Sequence, residues 1–162
     1  MKSELQDLID ECTTEINDID ALIADMPPLS KQIRYLTCYA LIKASGTAEF
    51  VYRSIVVDYF SKLSDSRIDT YLDTAVRKGS MSAKYEMMCG LLGKFDEQWQ
   101  KSFKCAVNKH PNKQKIIDAS NSLVQNRHDF AHGKAPTATF IDIKNYYFDV
   151  LELIKIFDSV VC

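Results

Sequence analysis

The strongest constraint on the fold is a spacing. Leu5, Leu8, Ile9, Cys12, Ile16, Ile19, Leu22 and Ile23 recur at steps of three and four residues. On an α-helix those positions share one face, and on a strand they would scatter over both. Asp and Glu side chains fill the steps between them. Ser3 is the expected N-cap. Pro27-Pro28 ends the helix, because neither ring leaves an N–H for the ladder and the residue before each is pushed out of helical geometry.

The same period runs on through the chain. Leu29 to Leu63 read as one long helix, or two that continue each other, with Ile33, Leu36, Tyr39, Ala40, Ala44, Thr47, Val51, Ile55 and Tyr59 as the buried stripe. Within it, Ser45, Gly46, Thr47 and Ala48 make a small-residue patch that another helix could approach closely, and Gly46 permits a slight kink. Ser64-Asp65-Ser66 is a cap signal before a short helix through Arg77, and Lys78-Gly79-Ser80 breaks it. Ser82 to Phe95 predict a further short helix in which Met87, Met88, Leu91 and Leu92 fill core space. Trp99, Phe103 and Val107 trace the next stripe. After a loop at His110-Pro111, a helix starts at Pro111 or Asn112 and runs to about Phe130. Lys134-Ala135-Pro136 is a linker, and Thr139 caps a last helix carrying Ile143, Tyr146, Tyr147, Val150, Leu151, Ile154, Phe157 and Val161. The expected fold class is all-α, a helical bundle of about five to seven helices. It should form a single domain over residues 1–162, with no internal repeat and no low-complexity segment.

Composition agrees and narrows the function. Five glycines and four prolines leave little material for the turns of an all-β chain. A net charge of −2 gives no global basic field, which argues against a protein that coats nucleic acid but allows one that grips RNA in a local cleft. Cys12, Cys38, Cys89, Cys105 and Cys162 are odd in number and contain no Cys-x-x-Cys pair, as expected of reduced thiols in the cytoplasm. No apolar run approaches the ~20 residues of a membrane span, and Met1-Lys2-Ser3-Glu4 does not begin a signal peptide. A cytoplasmic protein with no membrane partner is expected.

The chemistry gathers in Leu123-Val124-Gln125-Asn126-Arg127-His128-Asp129-Phe130-Ala131-His132-Gly133. Ile116, Ser120 and Leu123 lie 11, 7 and 4 residues before Arg127, on one helical stripe, so Arg127 falls on or beside the buried face. A guanidinium there needs an ion partner, a cleft or a second chain. His132 follows five residues later, which in a continued helix turns it about 140° away. If the helix ends at Phe130 or Ala131, with Gly133 left-handed, the chain can bring the imidazole back toward the guanidinium. A permanent cation beside a group that titrates near neutral pH suits phosphate chemistry. Arg forks two phosphate oxygens, and His moves the proton.

Other readings compete for these residues. His128 and His132 are four apart and could share a metal, but no third strong ligand follows at a familiar spacing, so no metal or other cofactor is expected. Arg127 and Asp129 could form a capping ion pair, with the histidines merely favouring a helix C-terminus. Lys101, Lys104, Lys109, Lys113 and Lys115 surround the Asn108-to-Asn112 turn, either as a solvated face or as a rim that steers phosphates. No Gly-rich phosphate loop, nucleophile elbow or Ser-His-Asp arrangement is present.

Arg127-His128-x-x-Ala131-His132-Gly133 resembles the Arg-polar-x(3-5)-His motif of the HEPN superfamily. It is most similar to the RiboL-PSP branch, where Arg-Asn-x-x-Ala-His-Gly is typical. The likeness extends to the helix from Thr139 to Val161 and, more loosely, to Ala48-Glu49-Phe50-Val51. The resemblance implies an all-helical domain that dimerises. Active members are metal-independent endoribonucleases, and many are toxins or phage-defence effectors. It implies catalytic roles for Arg127 and His132, joined by His128 where Asn is commoner. From the sequence alone Glu49 reads as a solvated side chain; the resemblance instead implies an acidic residue that orients Arg127 through an ion pair, with Asp129 as further support. Lys134 stands where one subset carries a tyrosine that a partner nucleotidyltransferase modifies with AMP; that control is not expected here, and Lys134 is expected to meet RNA. The implied partners are a second copy as a homodimer, an RNA substrate, and an antitoxin or regulatory protein. The alternative is a non-catalytic dimerisation module that binds RNA, a nucleotide or another protein.

Overall fold

A helix of 30 residues, α2, Lys31–Phe60, is the axis on which the chain is assembled. The computed structural model describes residues 1–28, 30–62 and 65–161. Around α2 stand α1 (Ser3–Ala24), α3 (Ser66–Leu72, continued by a π-helical turn at Asp73–Arg77), α4 (Tyr85–Phe95), α5 (Glu97–Lys109), α6 (Lys113–Ala131) and α7 (Phe140–Val160). No strand occurs among the described residues. The architecture is an all-α bundle. α7 lies along α2, α6 packs against α7 and α2, and α1 covers the other flank of α2.

The burial pattern explains this order. Every residue of α2 from Val51 to Asp58 is buried, so its second half is surrounded on all sides. Its first half keeps one side open, where Tyr35, Tyr39 and Ile42 are exposed. One buried apolar cluster draws on all seven helices. Its aromatic centre is Phe157 of α7, met edge-on by Tyr52 (ring centroids 5.7 Å) and Phe103 (5.5 Å).

Side-chain caps form at three helix starts among the described residues. Asp65 accepts from the N–H groups of Arg67 and Ile68, and Asp96 does the same for α5. Thr139 and Asp142 make a reciprocal capping box at α7. Ser3, however, is the first helical residue of α1; Lys2 takes the N-cap position with no side-chain bond. The long helix expected between Leu29 and Leu63 is one unbroken helix. Leu29, Leu63 and Ser64 lie outside the described residues.

Several apolar residues expected inside are not. Leu8, Leu22, Tyr39 and Met87 are exposed. They lie beside the inward stripe rather than on it, because each helix meets its neighbours over a narrower arc than its apolar content would allow. Tyr39 instead donates its hydroxyl to Glu15 (2.5 Å). The Ser45-to-Ala48 patch is split. Ser45 and Ala48 are buried, while Gly46 faces outward with open space around it. α4 starts at Tyr85 rather than Ser82. The Tyr52 hydroxyl bonds the carbonyls of Met81 and Ser82, and Ser120 bonds that of Ala83, which holds this stretch in a non-helical path. Cys12, Cys38, Cys89 and Cys105 are free thiols, and Cys162 lies outside the described residues. Among the described residues no helix is long and apolar enough to cross a membrane.

Candidate active site at the end of α6

Ile116, Ser120 and Leu123 of α6 are buried against α7 and α2, as the stripe predicts. Arg127 continues the stripe to the edge of the core, where its side chain is 42% exposed. Its Nη2 reaches Oε2 of Glu49 on α2 at 3.4 Å. Glu49 is only 7% exposed. Burial pushes its carboxyl above the ordinary carboxylate range, while the guanidinium groups of Arg127 and Arg53 pull it part of the way back.

Arg53 was not among the expected site residues. It follows Glu49 by one helical turn, is 7% exposed, and donates Nε to the main-chain oxygen of Glu49 (2.8 Å). The Glu-x-x-x-Arg spacing was readable as a same-face pair, but nothing in the sequence marked that face as buried. The site therefore holds two guanidinium groups against one carboxylate. Two atoms in it, Oε1 of Glu49 and Nη1 of Arg53, are fully covered and have no hydrogen-bond partner among the described residues.

The helix ends where the sequence suggested, with a left-handed glycine just beyond it. α6 runs through Ala131, with His132 at the C-cap and Gly133 left-handed at φ 79°. The N–H of Gly133 bonds the Phe130 carbonyl (3.0 Å), and the N–H of Lys134 bonds that of Asp129 (2.9 Å). This is a Schellman closure, which satisfies carbonyls that a helix end otherwise leaves bare. Because the turn comes only after His132, that residue stays on the helical lattice. Its ring packs on that of His128, with centroids 4.3 Å apart. Both imidazoles are exposed.

Asp129 does not pair with Arg127, because positions two apart lie on different sides of a helix. It accepts from Lys134 Nζ (3.4 Å). The Gln125 side chain, then Lys134 and the His128 charge, hold the Asp129 carboxyl below its usual value. Lys134 itself is largely exposed. A second unexpected residue, Asn126, ties down the chain beyond the motif. Its buried Oδ1 accepts from Thr137 N (3.1 Å), Thr137 Oγ1 (3.3 Å) and Ala138 N (3.1 Å), and its Nδ2 donates to the Ser122 carbonyl (2.9 Å). No local pattern announces such a clamp, since its donors lie 11 and 12 residues away.

The lysine rim is not beside this site. Lys113 opens α6, and Arg127 lies 14 residues further along it, about 21 Å at 1.5 Å per residue. Lys101 pairs with Glu97 and Lys115 with Asp149, so that face behaves as solvated ion pairs. Five hollows elsewhere on the surface have none of Arg127, His128 or His132 in their walls. No group of three His, Cys, Asp or Glu side chains is placed to hold a metal ion among the described residues. What one chain offers, then, is a half-exposed cation anchored from below and two imidazoles open to solvent on the next turn.

The chain matches no curated protein and no solved structure. The family model described as RiboL-PSP-HEPN matches residues 4–162. A match over nearly the whole length, together with the Arg127-to-Gly133 signature set at a helix end, means that this chain belongs to the RiboL-PSP-HEPN family, within the HEPN superfamily.

Proposed function

We propose that the protein is a metal-independent endoribonuclease that works as a homodimer, in the role of a toxin or phage-defence effector. The observation that carries the reading is the arginine anchored on a buried carboxylate at the same helix end as two histidines in ring contact. In the proposed reaction the 2′-hydroxyl of RNA attacks the adjacent phosphorus. The bond to the 5′-oxygen breaks, leaving a 2′,3′-cyclic phosphate and a 5′-hydroxyl. One imidazole takes the 2′-hydroxyl proton and another protonates the departing 5′-oxygen. Arg127 offsets the charge that builds on the phosphorane. In one chain these groups stand open to water. A second copy related by a two-fold axis would close a cleft over them and bring two arginines and four histidines to one phosphate.

Purified protein incubated with RNA in EDTA tests this. Wild type is expected to cut and His132→Ala to be strongly impaired; equal cleavage by both would assign the activity elsewhere. Sedimentation at the assay concentration should show a dimer, and a monomer that cleaves would remove the composite site. Growth arrest on expression, relieved by Arg127→Ala, is the expected sign of a toxin.

One observation favours a second reading, a non-catalytic module that binds RNA, a nucleotide or a protein. Arg127 already has an acidic partner, and both histidines are exposed on their own chain. Binding of RNA without cleavage by a well-formed dimer would decide for it.

A further inference from the structure

Arg53 is a buried charged side chain of the site to which the reaction above gives no task. Burying a guanidinium is costly, and such groups are normally kept only when paired. Yet Arg53, 7% exposed, makes a single hydrogen bond, from Nε to a main-chain oxygen of its own helix. No side-chain ion pair joins it to Glu49 among the described residues. Its Nη1 is a covered donor without an acceptor, and Oε1 of Glu49 is a covered acceptor without a donor. The two belong to residues one turn apart on α2, in the Glu-then-Arg order that favours i,i+4 pairing. Meanwhile the Arg127–Glu49 contact is long, 3.4 Å, and the Arg127 arm is half in solvent.

We infer that Arg53 is a positioning residue that takes over the Glu49 carboxylate when Arg127 turns outward to an RNA phosphate. The occupant of the outward position rests on the endoribonuclease reading; the relation between Arg53 and Glu49 does not. The reason is electrostatic. Arg127 can hold Glu49 or a phosphate, and leaving Glu49 strands a buried charge. Arg53 removes that obstacle, because a small rotation of either side chain gives the carboxylate a second cation. Two cations act on the Glu49 carboxylate, Arg127 from α6 and Arg53 from α2.

The test uses the full chain and a 2′-O-methyl RNA oligonucleotide, whose blocked 2′-oxygen cannot attack. Arg53→Met is expected to weaken its binding about tenfold or more, and Arg53→Lys, which keeps the charge, by less than about threefold. Glu49→Gln/Arg53→Met should recover binding to within about threefold of Glu49→Gln alone, since a neutral amide does not hold Arg127 back. The double variant should also be more stable than Arg53→Met. Binding unchanged in Arg53→Met, or a double variant as weak or less stable than it, overturns the inference. A second readout needs no RNA. The Glu49 carboxyl, followed by carbon-13 NMR, should titrate about one pH unit or more higher in Arg53→Met than in wild type, and not in Arg53→Lys. An unchanged midpoint overturns the inference. A raised midpoint in a protein whose wild type binds no oligonucleotide supports the Arg53–Glu49 relation and removes the endoribonuclease reading instead.

Discussion

His128 and His132 lie ring against ring at the end of α6, with centroids 4.3 Å apart and planes inclined at 59°. Both rings are exposed, while Arg127 is held against Glu49 of α2. The lattice position of His132 follows from the late Schellman turn. If the endoribonuclease reading holds, replacing His132 by Ala lowers the cleavage rate by about 10²–10⁴-fold, the usual contribution of a general acid or base. His128→Asn, which restores the residue commoner in this family, should keep the rate within about tenfold, because an amide can still orient its neighbour. Single-turnover cleavage in EDTA measures both.

Glu49 makes stability depend on pH in a direction opposite to most acidic residues. Its carboxyl titrates higher folded than unfolded, through burial. Between the unfolded value of about 4.3 and that higher value, the folded chain binds more protons, so rising pH destabilises it. Glu49→Gln removes this dependence. Its stability relative to wild type should therefore increase as pH rises from about 4 to about 7. Urea unfolding across that range measures the difference; a variant that loses ground with rising pH would contradict the sign.

Asn126 holds the segment after the motif by one oxygen that accepts three donors. Asn126→Ala strands the two main-chain N–H groups of Thr137 and Ala138 and is expected to cost about 1–3 kcal/mol. The linker should then exchange its amides faster than α6 or α7. Urea unfolding and hydrogen exchange would show both effects, and exchange spread evenly over the chain would speak against a local clamp.

Gly133 is a clean backbone test. Its φ of 79° is left-handed, and a Cβ added there meets nothing within 4 Å. Gly133→Ala therefore pays only the conformational cost, about 1–2 kcal/mol. For a chain of this length that is a fall in Tm of roughly 2–8 °C. A drop much larger than this would mean that the side chain collides with a neighbour, such as a second copy of the chain.

The outline of the bundle was readable from the chain because its causes are local. The three- and four-residue steps of α1, the caps at Asp65 and Thr139, and the glycine that closes α6 each act through residues within a turn or two. The same locality explains the misreadings. Leu8, Leu22 and Tyr39 sit on apolar faces by sequence, but how wide an arc of a helix is covered depends on the helix opposite. Of the two readings of the lysines around the Asn108-to-Asn112 turn, the ion pairs of Lys101 and Lys115 favour the solvated face.

What the sequence by itself determined is the set of helices and the placing of Arg127, His128 and His132 at the close of one of them, since period, capping and glycine backbone freedom are properties of neighbours in the chain. Only the tertiary structure decided that Arg127 meets a carboxylate 78 residues away, that Arg53 is sealed in beside it, and that Asn126 grips the linker. Pairing and burial depend on which surfaces are brought face to face, and for charged groups the cost of leaving water makes that choice decisive.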